Sequence, residues 1–222
     1  MDEVKSPRSY RQTRRAAATA KTRAAVLKAA RACFVAKGWS GTTIAAIAAR
    51  AKVSPETIYA SFGSKSALMV ETLRAAVRGE EAEVPLLDQS APRAIAASRD
   101  QCRQLAIFTE DIAGVLERVA PLMDVVRAGA ATDRRLQALY REFHDGRRRN
   151  LGFVARALLA TAPLRDGQDE EQATAAIWRL ASPELFMLMR NVEGTDRTAY
   201  AAWLLRALSD ALLVEPGPGS VT

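Results

Sequence analysis

Alanine occupies 44 of the 222 positions, against 12 glycines and nine prolines. Alanine loses no side-chain freedom in a helix and is the strongest intrinsic helix former. A chain with about one alanine in five is therefore biased towards helix before any pattern is read. A sheet protein would need Val-, Ile- and Thr-rich runs closed by turn residues, and the sequence has none. The expected fold class is all-α. The length allows one sizeable domain, or a small one joined to one of ordinary size.

Charge divides the chain. Residues 1–65 hold 13 Lys and Arg against three acids, a balance of +10. Residues 66–222 hold 19 Arg against 22 acids, a balance of −3. No acid stands between Val4 and Pro55, and all six lysines lie in the first third. A basic module on a mildly acidic one points to a polyanion partner, the competing reading being a merely solvated surface. No apolar run approaches the roughly 18–20 residues that span a bilayer, so no membrane partner is expected. No apolar segment follows the basic N-terminus, so a secretory signal is not expected; the Arg-rich, acid-poor start leaves a transit peptide as the formal alternative. Cys33 and Cys102 stand far apart in helix-like stretches, which is neither a disulfide framework nor a metal motif. Both suit a reducing cytosol, so a cytoplasmic location is expected.

Residues 1–20 lack apolar periodicity and read as a flexible basic arm. Over 21–37, Val26, Leu27, Ala30, Cys33 and Phe34 form an apolar stripe that Gly38 ends. Thr43 is placed to cap a helix over 44–51. Ser54 is placed to cap a second over 55–62, with Pro55 at its first position. A fourth helix follows over about 65–80, then a loop near 81–91. Ser98-Arg-Asp-Gln101 reads as a capping box opening a helix that carries Leu105, Phe108, Ile112, Leu116 and Val119 on one face, with Pro121 as a kink or restart. Asp133 caps a long helix to about residue 159. Three acids open another over about 168–181. Ser182-Pro183-Glu184 starts the next, and the last spans about 196–214. Residues 215–222, EPGPGSVT, read as disordered.

The two short capped helices with a tight turn between them are a helix-turn-helix, and they lie in the basic third. In such a unit the second helix enters the major groove, where each base pair presents a distinct donor–acceptor pattern. Residues 22–68 closely resemble the DNA-binding domain of the tetracycline-repressor-like (TetR) family. The matching marks are the Ala-Ala of the first helix, Phe34, Gly38-Trp39, Thr42-Thr43-Ile44, Ile47-Ala48, Val53-Ser54, Thr57-Ile58-Tyr59, Phe62, Ser64-Lys65 and Leu68. One position departs: the family usually has Gly where Lys52 stands, and a left-handed Lys there would cost roughly 1 kcal/mol.

The resemblance implies an N-terminal three-helix DNA-binding domain (21–66) after the arm (1–20). A larger helical bundle for ligand binding and dimerisation (67–214) and the tail (215–222) would follow. It implies a homodimeric repressor that double-stranded operator DNA binds and a small apolar effector releases. The DNA-facing residues are then Thr43, Lys52, Ser54, Pro55, Glu56, Thr57, Tyr59, Ala60, Ser61 and Lys65, with Tyr59 and Lys65 at positions that touch phosphates. Glu56 either accepts from a cytosine amino group or complements the helix dipole.

Phe108, Ile112, Leu116, Met123, Tyr140, Phe143, His144 and Trp178 read either as the wall of a ligand cavity or as plain core. The final helices are apolar nearly all round. A dimer face is expected at Leu185, Phe186, Leu188, Tyr200, Trp203, Leu204, Leu208 and Leu212. One histidine, two separated cysteines and no Gly-rich phosphate loop leave no triad or metal set, so neither catalysis nor a metal or cofactor is expected.

Overall fold

In a computed structural model, residues 7–81 and 83–214 are described, with side chains from residue 17 onward. Ten α-helices make up the described fold, and no strand occurs among the described residues. The chain divides into two compact units after Ala75. The division lies beyond the boundary expected at residues 66/67, because Leu68, Met69, Thr72 and Leu73 are all buried.

The first unit comprises α1 (Pro7–Gly41), α2 (Ile44–Ala51), α3 (Pro55–Phe62) and most of α4 (Lys65–Arg78). The arm expected over 1–20 is helical from Pro7 on and continuous with the first helix. Pro7 sits where a missing N–H is harmless, and the alanines at 16–18 and 20 favour the helix. Residues 1–6 lie outside the described residues. Gly38 breaks the helix at φ 67°, as its expected place as terminator requires. Val26, Ala30 and Phe34 of α1 close a core with Ile47 of α2, Ile58 and Phe62 of α3, and Leu68, Met69 and Leu73 of α4.

The second unit is built around α6 (Gln101–Ala130), which packs against α5 (Ser90–Ala97), α7 (Arg134–Thr161), α9 (Pro183–Val192) and α10 (Arg197–Leu212). The eighth helix, α8 (Glu170–Leu180), packs on α7 and α10. Pro121 lies inside α6, which runs through it. The capping box expected at Ser98 is not formed. Asp100 caps α6 instead, accepting from the N–H groups of Cys102 (2.9 Å) and Arg103 (3.3 Å). An ionised carboxylate is the stronger partner for a helix N-terminus. Gln101 turns away and donates to the carbonyls of Leu158 (3.0 Å) and Ala162 (2.8 Å). A capping box does form at Asp169, whose carboxylate accepts from Gln172 N–H (2.8 Å) while Gln172 accepts from Asp169 N–H (3.0 Å). The tail at 215–222 lies outside the described residues.

Candidate nucleic-acid interface

Threonine and lysine side chains hold the entry to the helix-turn-helix. Thr42 is only 1% exposed, and its hydroxyl lies 2.7 Å from Gly38 O and 3.0 Å from Cys33 O. It ties the turn to the end of α1, a role its neighbour Thr43 masked in the sequence. Thr43 caps α2, accepting from Ala46 N–H (3.1 Å). The half-buried Trp39 stacks on the buried Phe34, with ring centroids 5.8 Å apart. Lys65 donates to the carbonyls of Trp39 (2.7 Å) and Thr42 (2.8 Å), and its ammonium sits 4.2 Å from the Trp39 ring centroid. Its charge is therefore engaged within the domain, holding α4 to the turn before α2. Arg23 lies 4.6 Å from the Phe62 ring centroid and pairs with Glu71, which also accepts from Arg74 (2.8 Å).

In α2, Ile44, Ile47 and Ala48 face inward, while Thr43, Ala45, Ala49 and Arg50 are exposed. In α3, Ile58 and Phe62 face inward. Its other face exposes Glu56, Tyr59 (53%), Ala60 and Ser61, with Ser54 exposed at the cap and Pro55 and Thr57 half-buried. Ser54 accepts from Thr57 N–H (3.2 Å), and the two hydroxyls lie 3.1 Å apart. Nine of the ten expected DNA-facing side chains thus share accessible surface along α2, the turn and α3; Lys65 is the one whose ammonium is turned to backbone carbonyls.

Lys52 occupies the left-handed region (φ 57°, ψ 45°), as a terminator of α2 must, with its side chain exposed. A β-carbon is disfavoured there by about 1 kcal/mol relative to glycine. Lys52→Gly should therefore stabilise the first unit by about 1 kcal/mol, seen as a higher urea midpoint at unchanged slope. An unchanged or lower midpoint would mean that the lysine side chain contributes more than its strain removes.

In the second unit the expected ligand and dimer residues separate into different environments. Phe108, Ile112, Leu116 and Met123 are buried, the first three within one packed core. Tyr140, Phe143, His144 and Trp178 are only partly buried and form a polar-aromatic clasp on the corner between α8 and α9. Tyr140 donates to Glu184 Oε1 (2.7 Å), and His144 Nε2 lies 3.1 Å from the same oxygen. Trp178 Nε1 donates to His144 O (3.3 Å). Arg147 donates to Ala181 O (3.2 Å) and to Trp178 O, capping the end of α8. His144 Nδ1 and Arg147 Nε are buried and meet no hydrogen-bond partner among the described residues. The i, i+4 spacing of Tyr140 and His144 is the sequence signal for this cluster; Arg147 and Glu184, which complete it, were missed.

Burial pushes the Glu184 carboxyl up, but hydrogen bonds from His144, Tyr140 and its own backbone outweigh that and hold it at about 2, below its ordinary 4.5. Burial and the bond to Glu184 push the Tyr140 hydroxyl up to about 12. A carboxyl depressed on folding contributes stability above its unfolded value and loses it as pH falls through the folded one. The full shift corresponds to roughly 3 kcal/mol, which solvent screening of a side chain 37% exposed reduces to about 1–2 kcal/mol. Glu184→Gln should lower stability by that amount at pH 7, and the gap should close between about pH 4.5 and 2. A constant gap in urea melts across that window would remove the ionised clasp.

The expected dimer residues Phe186, Tyr200, Leu204, Leu208 and Leu212 are buried within a single chain. Tyr200 packs edge-on against Phe186, with centroids 4.8 Å apart, and α10 covers α6 and α8. These five belong to the unit's own core: α10 spends its apolar stripe on its own neighbours, and Phe186 of α9 packs into the same core. Of the expected set, Leu188 (52% exposed) and the half-buried Leu185 on α9 and the half-buried Trp203 on α10 keep accessible surface, and Val192 (74%) is a further exposed apolar residue of α9.

Residues 26–72 match the family model of bacterial regulatory proteins of the tetR family. No curated protein matches the chain by sequence. Among solved structures, a Mesorhizobium loti protein assigned to the TetR-family transcriptional regulators is 18% identical, over 88% of this chain and 98% of that one, with a TM-score of 0.66. NalD, the secondary repressor of the MexAB-OprM multidrug efflux pump in Pseudomonas aeruginosa, is 23% identical over 90% and 99%, with a TM-score of 0.62. The SmeT–triclosan complex is 21% identical over 90% and 97%, with a TM-score of 0.65. No helix among the described residues is long and apolar enough to cross a membrane. Residues 26–72 are thus similar to bacterial regulatory proteins of the tetR family, and the chain shares its fold with solved structures assigned to that family.

Proposed function

We propose that the protein is a homodimeric, sequence-specific repressor that leaves its operator when a small molecule binds the second unit. The observation that carries this reading is the exposed face of α3, with Glu56, Tyr59, Ala60 and Ser61 outward and Ile58 and Phe62 locked beneath. A helix presented in this way fits the major groove, and the acid-free stretch that precedes it supplies sequence-independent attraction. Tyr59 is the side chain for a phosphate, and Lys65 acts by positioning the turn before α2.

The repressor reading draws on NalD, and the effector reading on the triclosan complex of SmeT. Both have this fold at low identity. Effector binding is supported further by the orphaned His144 Nδ1 and Arg147 Nε beside Tyr140 and Trp178, which a ligand's polar atoms would satisfy. A ligand acts only through different affinities for two conformations. The covalent path for that change is α4, which crosses the division at Ala75.

Dimerisation is assigned to the outward face of α9, where Leu188 and Val192 stand one turn apart. Leu188→Glu would desolvate an unpaired charge at that interface, at several kcal/mol. It should yield folded monomers in sedimentation, with operator affinity reduced by orders of magnitude. A variant that remains a stable dimer would move the interface elsewhere.

A further inference from the structure

The recognition helix is unusual in what it lacks. Across α3, PETIYASF, there is no arginine, lysine, asparagine or glutamine. The commonest specific contact to DNA is Arg or Lys to guanine O6 and N7, and the amide side chains read adenine. None of these is available from this helix. Thr57 keeps its hydroxyl on Ser54, and Pro55 has no N–H to give. Tyr59 is proposed for a phosphate. Glu56, Ala60 and Ser61 remain, and only Glu56 is both long and charged.

Glu56 is also the one acid in the stretch 4–70. A carboxylate on a surface that approaches phosphates weakens binding to every DNA sequence alike. In the free protein it is fully exposed, and its own backbone N–H and the Ser54 hydroxyl hold it below the usual carboxylate range. It is therefore an acceptor only. In the major groove the donors are the exocyclic amino groups of cytosine and adenine, while guanine and thymine present acceptors at the corresponding edge. Cytosine is the usual partner of a carboxylate there. Adenine pairs its amino group with the N7 acceptor, which repels a carboxylate.

We infer that Glu56 is a specificity-determining residue, accepting from a cytosine N4 amino group at one position of each operator half-site. Resting as it does on the DNA-binding reading above, this converts a charge that opposes binding in general into selection for one base. Ala60, one turn further along α3, leaves room for a thymine methyl on the same face.

The test is selection from a random double-stranded DNA pool by the full-length protein, by Glu56→Gln and by Glu56→Ala, with heat denaturation confirming the fold of each. Wild type should enrich a sequence with cytosine at one symmetric position per half-site. Glu56→Gln should move that position alone to adenine, and Glu56→Ala should leave it degenerate. On fixed probes, the cytosine-over-alternative preference should fall about tenfold or more in both variants. Affinity for random DNA should rise in both. If the variants bind all DNA more tightly while selecting the same bases, Glu56 only complements its helix and the inference is wrong. If wild type binds DNA but enriches no sequence, base reading by α3 fails. If wild type does not bind DNA, the regulator reading fails and takes this inference with it.

Discussion

Replacing Leu208 by glutamate should unfold the second unit rather than split a dimer. Leu208 is 0% exposed in a single chain, inside a core that also holds Phe108, Leu116, Phe186 and Leu204. Removing a buried leucine side chain costs about 2–5 kcal/mol, and an unpaired carboxylate in its place adds several more. Domain stability is only about 5–15 kcal/mol, so the variant should lose most helical circular dichroism from α5 to α10 at ambient temperature. Leu188→Glu, at an exposed position on α9, should keep that signal. If Leu208→Glu were a folded monomer, Leu208 would lie at an interface and α10 would not be the core helix described above.

That contrast marks where the sequence was informative. The helix-turn-helix was readable because its determinants are local. Thr43 and Ser54 cap the helices that follow them, and Pro55 stands where it can only start one. The left-handed conformation of Lys52 was open to the sequence only as a condition, through the glycine that the resembling family usually has there. Long-range choices were not readable. The stripe Tyr200–Leu204–Leu208 is apolar whether a partner chain or the chain's own α6 and α8 covers it, and periodicity has no term for which. Lys65 carries a family mark for phosphate, yet its ammonium turns to two carbonyls 23 and 26 residues away in sequence. Ser98 and Gln101 have the spacing of a capping box, but Asp100 lies between them and is the better acceptor. The clasp around Glu184 depends on side chains some 40 positions apart, beyond the reach of local pattern.

The most direct measurement of the central claim is the salt dependence of DNA binding by the full-length protein. The stretch from Val4 to Pro55 has no acid, and Arg50 of α2, Lys52 of the turn and Tyr59 of α3 are exposed. If each subunit neutralises about four phosphates, a dimer releases counterions with a log K against log salt slope near −7. Between about 50 and 200 mM salt, affinity should fall by roughly four orders of magnitude. Fluorescence anisotropy on a labelled duplex, titrated across that range, reads the slope directly. A slope near −7 is the predicted result. A slope near zero would mean that the basic face of the first unit does not meet the DNA backbone, and would contradict the account.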